Sequence, residues 1–459
     1  MSTVIQINPR SGQYFADSNG KTFIPVGCNL CFVRGAENMP EKEVLDLFQD
    51  WFTRFAAQGG NFARIWLGVP FFDVMPKAIG EFDQRAADHI RFVVGLGEKL
   101  GIKIKFTLEH FRRIIPNAQH GKSFPGAVNF VNPLYAPYAE SMHEYLTSTV
   151  CRQAYLARAA YLAELGFGNS PAVSVWELWN EINCIGDVHG DVDKWSRSMI
   201  PELQKLFPNQ MIVQSLGSFG GVNSYRLYDS LRLLPGNGFM QIHCYLDPGA
   251  AFDFCHGPMD VLAARAIREL KDRAPDRPAI LAECGAVEAN HSRFSDLYAN
   301  DAQGILLHDI LFAPFFAGSA GCGQPWHWDH IYIAKHNLWH HFGRFARAIA
   351  GIDPAEEKFR VIYNETHKLR IYGLAGKNNT LLWCRDKAST WESELKNGIP
   401  ADVISGEKLI VPDCGGPALC DLIWEDKQIE VPPADSGVIH LPDFTRSIVV
   451  RIPAAKGTF

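Results

Sequence analysis

At 459 residues the chain exceeds one ordinary core, and with 47% hydrophobic and 20% charged residues it has the texture of a soluble globular protein. A formal charge of −6 offers no basic stripe for a phosphate backbone, and no stretch approaches the roughly 18 unbroken apolar residues of a membrane span. Nucleic acid and membrane are therefore poor partners, and a neutral ligand suits the chain better.

The first residues, Met-Ser-Thr-Val-Ile-Gln-Ile-Asn-Pro, have neither the basic start nor the apolar core of a secretory signal, which leads us to expect a cytoplasmic protein. Eleven cysteines lie scattered, as buried free thiols of a reducing compartment would. Cys28 and Cys31 form a Cys-x-x-Cys, but no second pair stands at zinc spacing, and the local histidines 327, 330, 336, 340 and 341 have no carboxylate or cysteine spacing to complete a site. Neither a metal nor a cofactor is expected.

Alternating apolar positions over 3–22 with Asn19-Gly20 predict an N-terminal hairpin that plugs a barrel floor. Strands are then predicted over 23–30, 61–67, 102–109, 172–179, 210–216, 239–245, 278–283 and 315–322. Helical periodicity fills the intervals over 41–58, 83–100, 143–165, 192–206, 225–234, 259–274, 296–312 and 338–350. Eight strand–helix units imply an α/β fold, a (β/α)8 TIM barrel over 1–354, because parallel neighbours require helical crossovers. Two long loops, 111–140 and 247–256, are rich in aromatic residues, proline and glycine and belong on the carboxyl-terminal face. Beyond Pro354 only short alternations remain, over 359–363, 369–374, 380–385, 419–424, 437–441 and 447–452. They predict a C-terminal all-β sandwich over 355–459 without helices.

The chemistry gathers at strand ends. Ala-Val-Ser-Val-Trp-Glu-Leu-Trp ends in Asn180-Glu181, and Pro-Ala-Ile-Leu-Ala ends in Glu283. Strands of parallel barrels are buried on both faces and carry their functional groups at their carboxyl ends, so two such glutamates face one bound molecule. Arg64 lies in the second strand, His110 follows the third, His243 and Tyr245 share one face of the sixth, and Trp326 and Trp328 follow the eighth. Glu109 and Glu177, also near strand ends, read as salt-bridged supports.

This constellation resembles that of the clan A retaining β-glycosidases, and most closely their cellulase and β-mannanase family, glycoside hydrolase family five, over roughly residues 20–350. The resemblance rests on Arg64, His110, Trp179-Asn180-Glu181, His243-x-Tyr245, Ala282-Glu283-Cys284-Gly285 and the tryptophan after strand eight. It implies Glu181 as acid/base and Glu283 as nucleophile, with Asn180 on the sugar 2-hydroxyl. It further implies that Tyr245 and Arg64 serve the nucleophile, His110 and His243 bind hydroxyls or orient Glu181, and Trp326 floors the cleaved sugar; by parity Trp328 could do so equally. The expected function is retaining hydrolysis of β-linked gluco- or manno-configured oligosaccharides, on short or imported chains. The alternatives are an endo-β-mannanase or endoglucanase on polymer and a non-catalytic carbohydrate-binding barrel.

Overall fold

The computed structural model describes residues 4–110, 133–185, 189–411, 415–432 and 437–455; most of the first aromatic-rich loop, 111–132, and Cys414 lie outside these. Near the amino terminus β1 (Gln6–Ile7), β2 (Phe15–Ala16) and β3 (Thr22–Phe23) form an antiparallel sheet rather than a two-stranded hairpin. Ile5, Tyr14 and Phe15, in or beside this sheet, bury against Phe62, Val175, Val213, Phe239 and Ile280, residues in or beside the barrel strands, and so close the barrel floor.

Five parallel strands follow in spatial order: β4 (Gly27–Asn29), β5 (Phe62–Trp66), β6 (Lys103–Thr107), β7 (Val173–Glu177) and β8 (Met211–Val213). β9 (Met240–Leu246) and β10 (Ala279–Ala286) form a second parallel pair. The Gly238 N–H donates to the Ile212 carbonyl at 2.8 Å and joins β8 to β9. Residues 320–326 complete the ring. On one side Ala320, Gln324 and Trp326 donate to Ala279, Leu281 and Cys284; on the other Cys322 donates to Pro25, and Asn29 donates to Pro325.

This eighth stave corrects the prediction over 315–322. Phe315 and Phe316 are instead the last turn of a helix, Ile305–Phe316, whose residues are all buried. A helix covered on every side loses its amphipathic period, and a short apolar run does not distinguish it from a strand. The single helix expected over 143–165 is two, Met142–Thr147 and Thr149–Glu164, with Ser148 ending one and capping the next through a 3.3 Å bond from the Cys151 N–H to its hydroxyl.

The carboxyl-terminal region is built on one antiparallel sheet of six strands, in the order Arg360–Glu365, Leu369–Ala375, Asn379–Asp386, Ser447–Pro453, Ala418–Leu422 and Lys427–Val431. Period-two alternation divides its faces. Leu382, Cys384, Ile448 and Val450 enter a core closed by Ile404, Leu409, Ile439 and Phe444 from two short two-stranded ladders. Leu381, Trp383 and Val449 join the barrel core. A helical turn at Pro354–Glu357 and another at Glu392–Lys396 correct the expectation that no helix follows Pro354.

The two halves meet on the Ile305–Phe316 helix. Phe312 and Phe316 approach Trp383 at 5.9 and 6.2 Å between ring centroids, and buried Asp309 takes a bidentate pair from buried Arg385 at 2.7 and 3.2 Å. Arg385→Ala would leave the Asp309 carboxyl buried and unpaired, at a cost of about 3–5 kcal/mol. The expected outcome is a clearly lowered urea midpoint by circular dichroism; an unchanged midpoint would show that the pair contributes nothing to the joint.

Candidate active site

Backbone geometry sets the two strand-end glutamates. The chain leaves β7 through Leu178 and Trp179, the Asn180 N–H donates to the Glu109 carbonyl at 2.8 Å, and Glu181 turns into the left-handed region at φ 50°. That conformation is uncommon for a residue with a Cβ; the Glu181 N–H is anchored to the Ser215 hydroxyl at 3.0 Å. In β10 the pairing with β9 shifts between Leu281 and Glu283, so Ala282 is an extra residue. Ile280 and Ala282 both join the barrel-floor cluster, and strict alternation from them would turn Glu283 toward the outer helices. The bulge brings Glu283 level with His243 on the inner face.

The side chains then converge. Arg64 reaches five groups: it donates to Glu283 Oε1 through Nη1, to Glu177 Oε2 through Nε and Nη2 at 2.8 and 2.6 Å, to the Thr107 hydroxyl through Nε at 3.1 Å, to Asn180 Oδ1 at 2.7 Å, and to Asn29 Oδ1 at 3.4 Å. The Tyr245 hydroxyl donates to Glu283 Oε2 at 2.7 Å. His243 Nδ1 lies 2.7 Å from Glu181 Oε1 and 3.4 Å from Glu283 Oε2. A carboxyl oxygen of Glu181, one of Glu283 and a ring nitrogen of His243 all fall within 4.8 Å of one another. Such a trio could in principle hold a cation, but both Glu283 oxygens are engaged and one faces a guanidinium, which disfavours a metal.

The electrostatics separate the two carboxyls. Burial, and then the charge of Glu283, push Glu181 well above the ordinary carboxylic range. Burial also raises Glu283, but Arg64 and the Tyr245 hydroxyl oppose it, so Glu181 is the group that keeps its proton to higher pH. Burial, reinforced by Arg64 and Lys105, pushes His243 well below its usual value and keeps the imidazole neutral.

Of the other expected residues, His110 stacks on Trp66 at 4.9 Å and 27°, while His243 is the histidine that reaches Glu181. Trp326 is partly open and tilts against Trp66 at 5.3 Å. Trp328 is a correction: it is fully buried, edge-on to Phe32 at 5.4 Å and Trp51 at 6.4 Å, and cannot meet a ligand. His327 between them has φ 50°, which breaks the alternation that equal parity assumes. Glu177 and Glu109 are supports, bound to Arg64 and Arg158. The histidine cluster disperses: His336 and His341 bond backbone carbonyls and His327 contacts Tyr298. The ten described cysteines are free.

Sequence reasoning missed Trp66, which shares parity with Arg64, and Lys105, a lysine at an inward position of a buried strand. Lys105 is 1% exposed and donates to Gln241 Oε1 at 2.7 Å.

No family model matches the chain. Mannan endo-1,4-beta-mannosidase 1 of Oryza sativa subsp. japonica is 24% identical over 221 residues, 42% of this chain and 48% of that protein. A protein of Arabidopsis thaliana, provisionally designated mannan endo-1,4-beta-mannosidase 4, is 22% identical over 322 residues, 66% of this chain and 71% of its own length. The chain thus spans about half the length of the rice relative. A glycoside hydrolase family 5 structure from Bacteroides vulgatus shares the fold over 99% of this chain and 94% of its own, with a TM-score of 0.58 at 14% identity. The chain is similar in sequence to these mannan endo-1,4-beta-mannosidases and shares its fold with the family 5 structure. In this chain the paired carboxyls, the arginine, the tyrosine and the partly open tryptophan stand on one rim, where a barrel carries its chemistry.

Proposed function

We propose that the chain hydrolyses β-linked mannosides with retention of configuration, Glu283 acting as nucleophile and Glu181 as acid/base. The observation that carries this reading is the approach of the two carboxyls to within 4.8 Å. Retaining chemistry uses about 5–5.5 Å, whereas inversion needs room for a water and about 6.5–9.5 Å. The relatives named above as mannosidases support manno-configuration.

In this reading Glu283, kept ionised by Arg64 and oriented by Tyr245, attacks the anomeric carbon while protonated Glu181 gives its proton to the leaving oxygen. Glu181 then deprotonates the water that releases the glycosyl-enzyme. Neutral His243 shares a proton with Glu181 across 2.7 Å and holds it toward the scissile bond. Asn180, its carbonyl occupied by Arg64, keeps an amide N–H for the 2-hydroxyl.

The test is proton NMR of the first product from an aryl β-mannoside, with β-glucosides, short manno-oligosaccharides and polymeric mannan in parallel. β-Mannose should appear first; α-mannose first would refute retention, and cleavage of glucosides alone would refute the sugar. Relative rates on oligosaccharide and polymer decide between short-chain and endo action. Turnover should be bell-shaped in pH: activity falls on the acid side as Glu283 is protonated and on the alkaline side as Glu181 loses its proton. Because burial raises both groups, both limbs should sit above the ordinary carboxylate range. Trp326→Ala, which removes the half-open ring, should raise KM on the order of tenfold by steady-state kinetics; an unchanged KM would remove Trp326 from the sugar site.

A further inference from the structure

Arg64 is asked to serve two carboxylates. Its guanidinium faces Glu283 on one edge and Glu177 on the other, and Arg64 and Glu177 are both 0% exposed. Two buried anions against one cation leave an uncompensated charge, which a protein interior removes by protonating one of them. If the proton went to Glu283, the proposed nucleophile would be lost.

The second cation is Lys105, one strand from Arg64. Its Nζ lies 3.9 Å from Glu177 Oε1 and donates to Gln241 Oε1 at 2.7 Å, while Gln241 Nε2 donates to the same Glu177 oxygen at 2.9 Å. Thr107 donates its hydroxyl to Glu177 Oε2. Lys105 and Glu177 do not lie on the reacting face, and nothing in the proposed chemistry uses them directly.

We propose that Lys105 and Glu177 are positioning residues: Glu177 clamps Arg64 in reach of Glu283, and Lys105 supplies the charge that lets one guanidinium neutralise both carboxylates. With Arg64 and Lys105 positive, Glu177 and Glu283 negative, and Glu181 protonated, the buried set is neutral. Burial opposes the charge on Glu177, but Arg64, Lys105 and Thr107 overcome it and hold the carboxyl below the ordinary range. Burial draws Lys105 down to about 8, with Glu177 holding it up, so its charge is present over the acid limb and is lost as pH rises through that value. The titratable groups facing Lys105 are Glu177 on β7, Arg64 on β5, Glu283 on β10 and Cys31 beyond β4, and its charge also reaches His243 on β9.

The inference rests on the proposed roles of the two glutamates, and its test has one readout that needs turnover and one that does not. Lys105→Met removes the charge at similar length and should move the acid limb of kcat/KM upward by about one pH unit, a roughly tenfold loss just below the wild-type limb. Glu177→Gln should move the limb downward, and the double variant should return it toward wild type. A purely structural pair would lower stability or the plateau rate without opposite limb shifts. Infrared pH-difference spectra, with the Glu283 carboxyl band assigned by its loss in Glu283→Gln, should show the same three shifts without any substrate. If Lys105→Met does not fold, Glu177→Gln and the double variant still decide the matter. A Glu283 titration unmoved in folded variants would overturn the inference even with the wild-type enzyme active; a wild type inactive on all β-glycosides, with the infrared shifts present, would overturn the function and leave the charge balance standing.

Discussion

Glu283→Ala is expected to abolish turnover of every β-mannoside, with kcat lower by about 10^4–10^6-fold whatever the leaving group, because it removes the atom that attacks the anomeric carbon. A better leaving group cannot compensate for an absent nucleophile. The variant should nevertheless fold and bind: Glu283 is a buried acid that burial penalises, and Arg64 retains Glu177 and Asn180 as partners when it is gone. Saturable binding of substrate by calorimetry, without hydrolysis, is the matching observation. Azide added to this variant can take the vacated position and attack from the same face, so the product should be the α-glycosyl azide. Retention of more than a few per cent of wild-type rate would remove Glu283 from the role of nucleophile.

Most of this site could be read without coordinates, and the exceptions have physical causes. Glu181 and Glu283 are legible because a carboxylate at the end of a buried strand needs either an ion-pair partner or a chemical task, and the motifs around these two, unlike those around Glu109 and Glu177, match the resemblance. Parity alone would have misled for Glu283, since Ile280 and Ala282 point into the barrel and only the bulge restores the glutamate to that face. Trp326 and Trp328 looked equivalent because alternation was assumed to continue past the strand; the left-handed His327 ends it and sends Trp328 into the Phe32 and Trp51 cluster. The eighth strand was displaced by a few residues because Ile305–Phe316 is packed between barrel and sheet and shows no polar face to mark it as a helix. Lys105 carries no motif around it, although its neighbours Ile104 and Phe106 are buried and its own parity points inward beside Glu177. A charge at an inward position of a buried strand is the signal to heed.

Glu181→Ala separates the two carboxyls by the dependence on leaving group. An aryl oxide departs without a proton, so the first step with activated aryl β-mannosides should be nearly unaffected, while oligosaccharides with poor leaving groups should slow by about 10^2–10^4-fold. The glycosyl-enzyme then accumulates, since no base remains to activate water, and a burst of aryl alcohol should precede a slow steady state. Azide needs no deprotonation; it should restore turnover and yield the β-glycosyl azide, the product of two successive inversions. The alkaline limb assigned to Glu181 should vanish from the aryl-glycoside profile, because the group whose proton loss causes it is gone, and the acid limb should stay in place, because Glu181 is still protonated and uncharged while Glu283 titrates. Opposite anomers from the two azide rescues would exchange the roles of Glu181 and Glu283. Full activity of this variant on oligosaccharides would mean that the proton comes from another group, and His243, 2.7 Å from the Glu181 carboxyl, would be the next to replace.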